Sequence, residues 1–220
     1  VGVISPKALS ATANAAGKTY DASTTASVSL SGLSGLVGTE TLGVSAAGSF
    51  DTKNAGTGKT VTVNSVALQD GANGGLASNY QLACGQTATA DIARATLSVS
   101  GSSAANKTYD GTSTAVITTG TLSGFIGSEK VSASASGNFD SKNAGVRTAT
   151  AIYTLGDDSV SGGLSGGLAG NYTLSDKSLL SATIAPKALS ATANAAGKTY
   201  DASTTASVSL SGLSGLVGTE

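Results

Sequence analysis

This chain of 220 residues writes the same phrases more than once, and that constrains its fold more than any other feature. GKTYDAST at 17–24 returns as NKTYDGTS at 106–113, and letter for letter at 197–204. GSFDTKNAG at 48–56 returns as GNFDSKNAG at 137–145, and ASNYQL at 77–82 as AGNYTL at 169–174. A fixed period means that one folding problem is solved once per repeat. Tyr20, Tyr109 and Tyr200 stand 89 and 91 residues apart, and Ile4, Ile92 and Ile184 mark units of 88 and 92 residues. The chain therefore divides into 1–3, the end of a preceding repeat; 4–91, repeat unit A; 92–183, repeat unit B; and 184–220, the first part of a further unit A. Unit B is four residues longer: one falls in SGSSAANKTYD and three around GDDSVSGGLSGGLAG. Both are Gly/Ser-rich stretches where added length costs little. Residues 186–220 copy 6–40 without a change, giving a higher period A-B-A-B. A chain that opens on Val1 and stops mid-repeat is expected to be a frame from a longer tandem array.

Alternation and β-branched runs predict strands at 7–13, 25–32, 42–50, 59–68, 80–83 and 87–92. In KTVTVNSV, Val61, Val63 and Val66 are expected to face inward, and Thr60, Thr62 and Asn64 outward. LSGLSGLVG at 30–38 has helix-like spacing, but its glycines and serines predict a loop with at most one turn. A period near 90 is too long for a solenoid rung and suits one small domain per repeat. The expected fold class is all-β, a tandem array of small Ig-like β-sandwich domains, with β-grasp-like domains as the alternative. The joints at 87–100 and 180–193 carry no Gly/Ser linker, and Pro6 and Pro186 restrict the chain there, which predicts an elongated rod.

Twelve basic and thirteen acidic side chains give no electrostatic reason to expect nucleic acid or an acidic membrane. No run of 18 apolar residues is present, so no membrane insertion is expected. There is no histidine, and the lone Cys84 has no base partner; its counterpart in unit B is Asp176. With no nucleophile elbow or phosphate loop, the chain reads as non-enzymatic. No cofactor is expected. Ca²⁺ is the alternative weighed, with Asp157 and Asp158 the only adjacent acidic pair among scattered singles Asp21, Asp51, Asp70 and Asp91. The preferred reading has Asp21, Asp51 and their equivalents Asp110 and Asp140 capping turns. Lys18 with Asn54, and Lys107 with Asn143, recur as a pair that could form an isopeptide bond, though nothing in the sequence places them together. Tyr20, Phe50 and Tyr80, matched by Tyr109, Phe139 and Tyr172 and followed by Tyr200, are read as core anchors rather than a glycan platform.

KTYDGTSTA at 107–115, GNFDSKNAGVRTAT at 137–150, and AGNYTL followed by ATIAPKAL at 169–174 and 182–189 resemble the YDG-type repeat. That repeat belongs to large bacterial surface adhesins similar to filamentous haemagglutinin, where it accompanies related MBG domains. The resemblance covers the whole chain and implies secretion to the surface of a Gram-negative bacterium, with a role in adhesion or matrix. The expected function is a stalk or spacer in a long surface or matrix fibre, its partners the neighbouring repeats of the same chain. The alternatives are lateral self-association into filaments and adhesive domains that bind glycans or a receptor. Units A read TYDAS where the family has YDG. Ala22 and Ala202 in place of Gly111 suggest that the position does not demand a positive φ.

Overall fold

The computed structural model describes residues 2–158, 166–174 and 177–220. Residues 159–165, where most of the longer loop of unit B falls, and Asp176 lie outside them. The described residues are all β apart from the short 3-10 segments Ala77–Asn79 and Ala169–Asn171.

The first repeat contributes β1 (Lys7–Ala15), β2 (Lys18–Thr19), β3 (Thr25–Ala26), β4 (Val28–Ser34), β5 (Leu42–Phe50), β6 (Gly56–Asp70), β7 (Tyr80–Leu82) and β8 (Thr87–Ala93). They form a three-stranded sheet, β4-β1-β7, and a five-stranded sheet, β2-β8-β6-β5-β3. In each sheet the strands from the two ends of the repeat pair in parallel, Lys7 opposite Tyr80 and Lys18 opposite Ile92. All other pairings within the repeat are antiparallel.

Each run of alternating residues becomes a strand, and the exception is informative. LSGLS, expected as loop, is the second half of β4. Glycine is tolerated because β4 is an edge strand, hydrogen-bonded only to β1, and its pairing skips a residue between Ser31 and Ser34. Gly32, at φ 62°, supplies that bulge rather than ending the strand. A second bulge lies in β6, where Ala47 faces Ser65 but Gly48 faces Val63, leaving Asn64 unpaired. The extra residue flips the phase: Val61 and Val63 are fully buried, and beyond Asn64 it is Val66 and Leu68 that turn inward.

The second repeat contributes β9 (Ala95–Ser100), β10 (Ser103–Ala104), β11 (Lys107–Thr108), β12 (Thr114–Ala115), β13 (Ile117–Thr118), β14 (Thr121–Ser123), β15 (Val131–Phe139), β16 (Gly145–Asp157), β17 (Tyr172–Leu174) and β18 (Ser178–Ala185). Its sheets are β14-β9-β17, β10-β13 and β11-β18-β16-β15-β12. Where the first repeat has continuous β1 and β4, the second breaks each in two, with Gly101 at φ 75° in the turn that carries the added residue. The third copy supplies only the hairpin β19 (Ser190–Ala195) and β20 (Val208–Ser214).

Two compact units cut across the sequence repeats. The first comprises Val1–Ser98, Ser123–Ser132 and Leu155–Leu174; the second comprises Val99–Leu122, Ala133–Thr154 and Ser175–Glu220. The first unit thus holds all of repeat A together with the first part of β9, the end of β14 and all of β17 from repeat B. Leu9, Tyr20, Phe50, Val61, Val63, Tyr80, Ile92, Leu97 and Tyr172 are buried in it. In the second unit Phe139 and Ile184 pack with Ala115, Ala149 and Ala182, flanked by Tyr109, Ile117 and Leu180. Alanine at three of five buried positions keeps this core thin.

Gly48 of β5, which stands beside the β6 bulge, is fixed by sterics. A Cβ at Gly48 would lie 2.7 Å from the Thr62 carbonyl oxygen and 2.8 Å from Val28 Cγ1, and one at Gly137 would lie 2.7 Å from Ile117 Cγ1. Gly48→Ala is expected to destabilise by about 1–3 kcal/mol through overpacking, read as a lower urea midpoint at unchanged slope.

Candidate functional site

The repeated KTYD phrase folds into a turn held by its lysine. Lys18 Nζ donates to Asp21 Oδ1 at 2.7 Å, to the Ser23 carbonyl at 2.8 Å and to the Thr25 carbonyl at 3.0 Å. The ammonium also stands 5.5 Å from the centre of the Phe50 ring. Asp21 Oδ1 accepts the Ser23 N–H at 2.9 Å, the Asx geometry expected of it. The Lys18 hydrogen bond, reinforced by Ser23, holds the Asp21 carboxyl below its ordinary value. The arrangement recurs at Lys107, Asp110 and Thr112, where the Lys107 ammonium first, then the Thr112 donors, bring Asp110 down to about 2. It recurs again at Lys198, Asp201 and Ser203.

One expectation about this turn is overturned. Ala22 sits at φ 64° and Ala202 at φ 59°, beside Gly111 at φ 78°, so all three copies adopt the left-handed conformation. Alanine is forced there because the lysine and aspartate fix the turn on both sides, although the conformation costs a non-glycine residue roughly 1–2 kcal/mol. Ala22→Gly is expected to stabilise the chain by about 0.5–1 kcal/mol, a Tm rise of a few degrees by calorimetry.

The fixed turn presents Tyr20, and its hydroxyl does not end in the core. It reaches Glu129 of the next repeat, within the first compact unit, at 2.8 Å from Oε1 and 2.9 Å from Oε2. Tyr172 donates to Glu129 Oε2 at 2.8 Å, and Lys53 Nζ to Oε1 at 2.9 Å. The rings of Tyr20 and Tyr172 meet edge to face, with centres 5.6 Å apart. Beside them Asn171, itself buried, accepts the Ala55 N–H at 2.9 Å and donates to Asn54 Oδ1 at 3.1 Å. Two residues of repeat A, Tyr20 and Lys53, thus converge on a carboxylate of repeat B whose side chain is only 13% exposed. Such burial is tolerable because ionised and hydroxyl donors occupy both oxygens.

The turn Val37–Glu40, with Gly38 at φ 58° and Glu40 N–H bonded to the Val37 carbonyl, positions the carboxylate; Ile126–Glu129 and Val217–Glu220 repeat it. A glycine in the first central position suits a type II′ turn. Tyrosine fastens the turn at both ends. Tyr80 accepts the Val37 N–H at 3.0 Å and donates to Glu40, while Tyr172 accepts the Ile126 N–H at 3.2 Å and donates to Glu129. In the second unit Tyr109 donates to Glu220, with Lys142 Nζ 3.8 Å from the same carboxylate.

Tyr20, Asn54 and Tyr172 therefore come together at one site, and Tyr80 and Tyr109 at its equivalents. Asn143 lines the matching place in the second unit. Phe50 and Phe139 lie beneath Lys18 and Lys107, and are buried. Asp51 pairs with Lys59 at 2.9 Å, while Asp140 enters the sheet through its N–H to Thr148. Tyr200 is 90% exposed, because the third copy carries no five-stranded sheet to cover it, and is not a core anchor here. Lys18 and Asn54 have separate partners. Asp157 and Asp70, at equivalent positions, each accept one backbone N–H, from Ala169 and Ala77, at 2.7 Å. Among the described residues no group of three His, Cys, Asp or Glu side chains is placed to hold a metal. Glu40, Glu129 and Glu220, with Lys53 and Lys142, escape a reading centred on aromatic phrases. The glutamates recur at the 89- and 91-residue spacings of the tyrosines, which is the signal that finds them.

With this geometry in place, the YDG domain model matches the chain twice, over residues 5–90 and 93–179, so the chain belongs to the YDG domain family. No curated protein and no solved structure matches it.

The clamp has a definite pH dependence. Burial raises the Glu129 carboxyl, but the donors Lys53, Tyr172 and Tyr20 outweigh it and leave it below its ordinary 4.5. Burial, reinforced by the Glu129 hydrogen bond, pushes Tyr172 up to about 12 and Tyr20 in the same direction. A depressed carboxyl stabilises the fold above pH 4.5, and this is lost as pH falls through its folded value; a raised phenol stabilises below pH 10, and this is lost as pH rises towards 12. Glu129→Gln is expected to cost about 1.5–3 kcal/mol at neutral pH in urea unfolding, with the gap from the parent chain closing in acid.

Proposed function

We propose that this chain is a run of structural spacer repeats in a long secreted fibre of a Gram-negative bacterial surface or extracellular matrix, with no catalytic role. The carboxylate clamp carries this reading. It joins consecutive repeats through buried polar contacts, and the same residues recur in the next repeat at Tyr109, Lys142 and Glu220. A joint built once per repeat suits a chain whose work is to hold its neighbours in line. The recurring lysines and carboxylates of the repeats are largely engaged by internal partners rather than gathered into a patch. Membership of the YDG domain family, matched twice along the chain, supports the reading as tandem repeats.

Small-angle scattering on chains lengthened by whole A-B pairs tests this. The expected outcome is an equal gain in maximum dimension for each added pair, and a blurred, smaller gain when both Glu129 and Glu220 are changed to Gln. A dimension that stops growing would sink the spacer reading, and saturable glycan binding by the 220-residue chain would favour the adhesive one.

A further inference from the structure

The two repeats build the same five-stranded sheet but give its outer face different side chains. In β16 Ala149, Ala151 and Tyr153 are buried, so Val146, Thr148, Thr150 and Ile152 point outward. In β18 Ala182 and Ile184 are buried, so Leu179, Ser181 and Thr183 take the same outer face. The register sets Val146 opposite Thr183, Thr148 opposite Ser181 and Thr150 opposite Leu179. Ser134, Ser136 and Asn138 of β15 extend the face, with Thr114 of β12 opposite Asn138. The whole patch lies in the second compact unit, and none of these side chains is charged. Val146 and Leu179 are each 74% exposed, and Ile152, the diagonal neighbour of Leu179, is 46% exposed.

In repeat A the matching positions carry no large apolar side chain. Thr87 takes the place of Leu179, opposite Thr62. Asn64 takes the place of Ile152 and donates to Ser49 Oγ at 2.9 Å. A bulge at Thr57 and Gly58 takes the place of Val146. Thr60, Thr87 and Thr89 stay exposed there although a whole repeat follows in the chain. The apolar patch thus belongs to the sequence of repeat B rather than to the fold. Aliphatic side chains set in water by one repeat and avoided by its twin mark area that a partner covers.

The composition of the face selects that partner. A face without charge offers nothing to a charged ligand, and its outward residues include no aromatic ring on which a sugar could stack. A second copy of the same face fits, because two such faces bring no like charges together and flat sheets stack about 10 Å apart. Four strands at about 4.8 Å spacing, with about seven residues of about 3.3 Å rise, give roughly 440 Å² per copy. Two copies then bury roughly 900 Å², short of the roughly 1,200 Å² of a stable complex. One pair of faces is therefore weak. Identical chains carry the face at identical intervals, so chains holding several A-B pairs engage several faces at once and gain by avidity.

We propose that the outer face of the repeat B sheet, centred on Val146, Ile152 and Leu179, is a lateral self-association surface that pairs with the same face of a second copy of this chain. Repeat A separates one such face from the next and takes no part in the contact. Lateral pairing is a property distinct from spacing along the fibre.

Analytical ultracentrifugation of the 220-residue chain, and of chains lengthened by one and two A-B pairs, tests this, with reductant present because Cys84 is an exposed thiol. The shortest chain is expected to dimerise only weakly, and each added pair to tighten dimerisation about tenfold or more. Raising the salt to about 1 M should leave the association in place, since screening weakens only contacts between charges. Leu179→Lys in every repeat B puts an ammonium group into each half of the contact and should return all lengths to monomer. Thr87→Lys in every repeat A places the same charge on the twin face and should change nothing. Both positions are exposed, and an unchanged Tm would verify that the variants fold. Monomers at every length up to millimolar concentration would overturn the proposal. So would association that salt dissolves, that survives Leu179→Lys, or that Thr87→Lys abolishes equally.

Discussion

A carboxylate with three donors on two oxygens is the interaction on which this structure turns. Glu129 alone would be an expensive group to place at 13% exposure, and each tyrosine hydroxyl around it would be expensive too. Together they satisfy one another: Tyr20 and Lys53 come from one repeat, Tyr172 and the glutamate from the next. Everything nearby serves to aim these groups. The Lys18–Asp21 turn aims Tyr20, the glycine turn aims Glu129, and the parallel pairing of β17 with β9 aims Tyr172.

That dependence explains how a chain so poor in aromatics and charge holds together. The cores within the sheets are thin, with alanine at buried positions and few large side chains. Hydrophobic burial per repeat is correspondingly modest, since small side chains remove little apolar area from water. Some of the largest residues lie where repeats meet. Tyr20, Phe125 and Tyr172 stack edge to face there, and they combine apolar burial with hydroxyl groups that reach polar partners.

Much of this was legible in the sequence. Alternation located β1, β5, β6 and β8, and Val61 and Val63 face inward as read. LSGLS reads as loop because glycine disfavours a regular strand, whereas an edge strand with a bulge accommodates it. Ala22 escaped because propensity speaks against left-handed alanine, while a lysine with several oxygen partners overrules propensity. The repeated phrases mark the tyrosines as fixed points, but aromatic spacing speaks for their rings and not for their hydroxyls. The hydroxyl partner lies 109 residues away, at a distance no local pattern reports. Only the matching periodicity of glutamate and tyrosine could have joined them.

The mismatch between repeat and compact unit has a practical consequence. The clamp draws Tyr20 and Lys53 from one repeat and Glu129 and Tyr172 from the next, so the first compact unit is repeat A together with segments of repeat B. Excising residues 4–91 by the sequence boundary would leave Tyr20 and Lys53 facing solvent. A fragment that keeps the clamp should instead extend at least through Ala185, so that Tyr172 is retained and β18 stays paired with β16. Domain borders drawn from repeats mark where the text recurs; the borders at which this protein can be cut lie elsewhere.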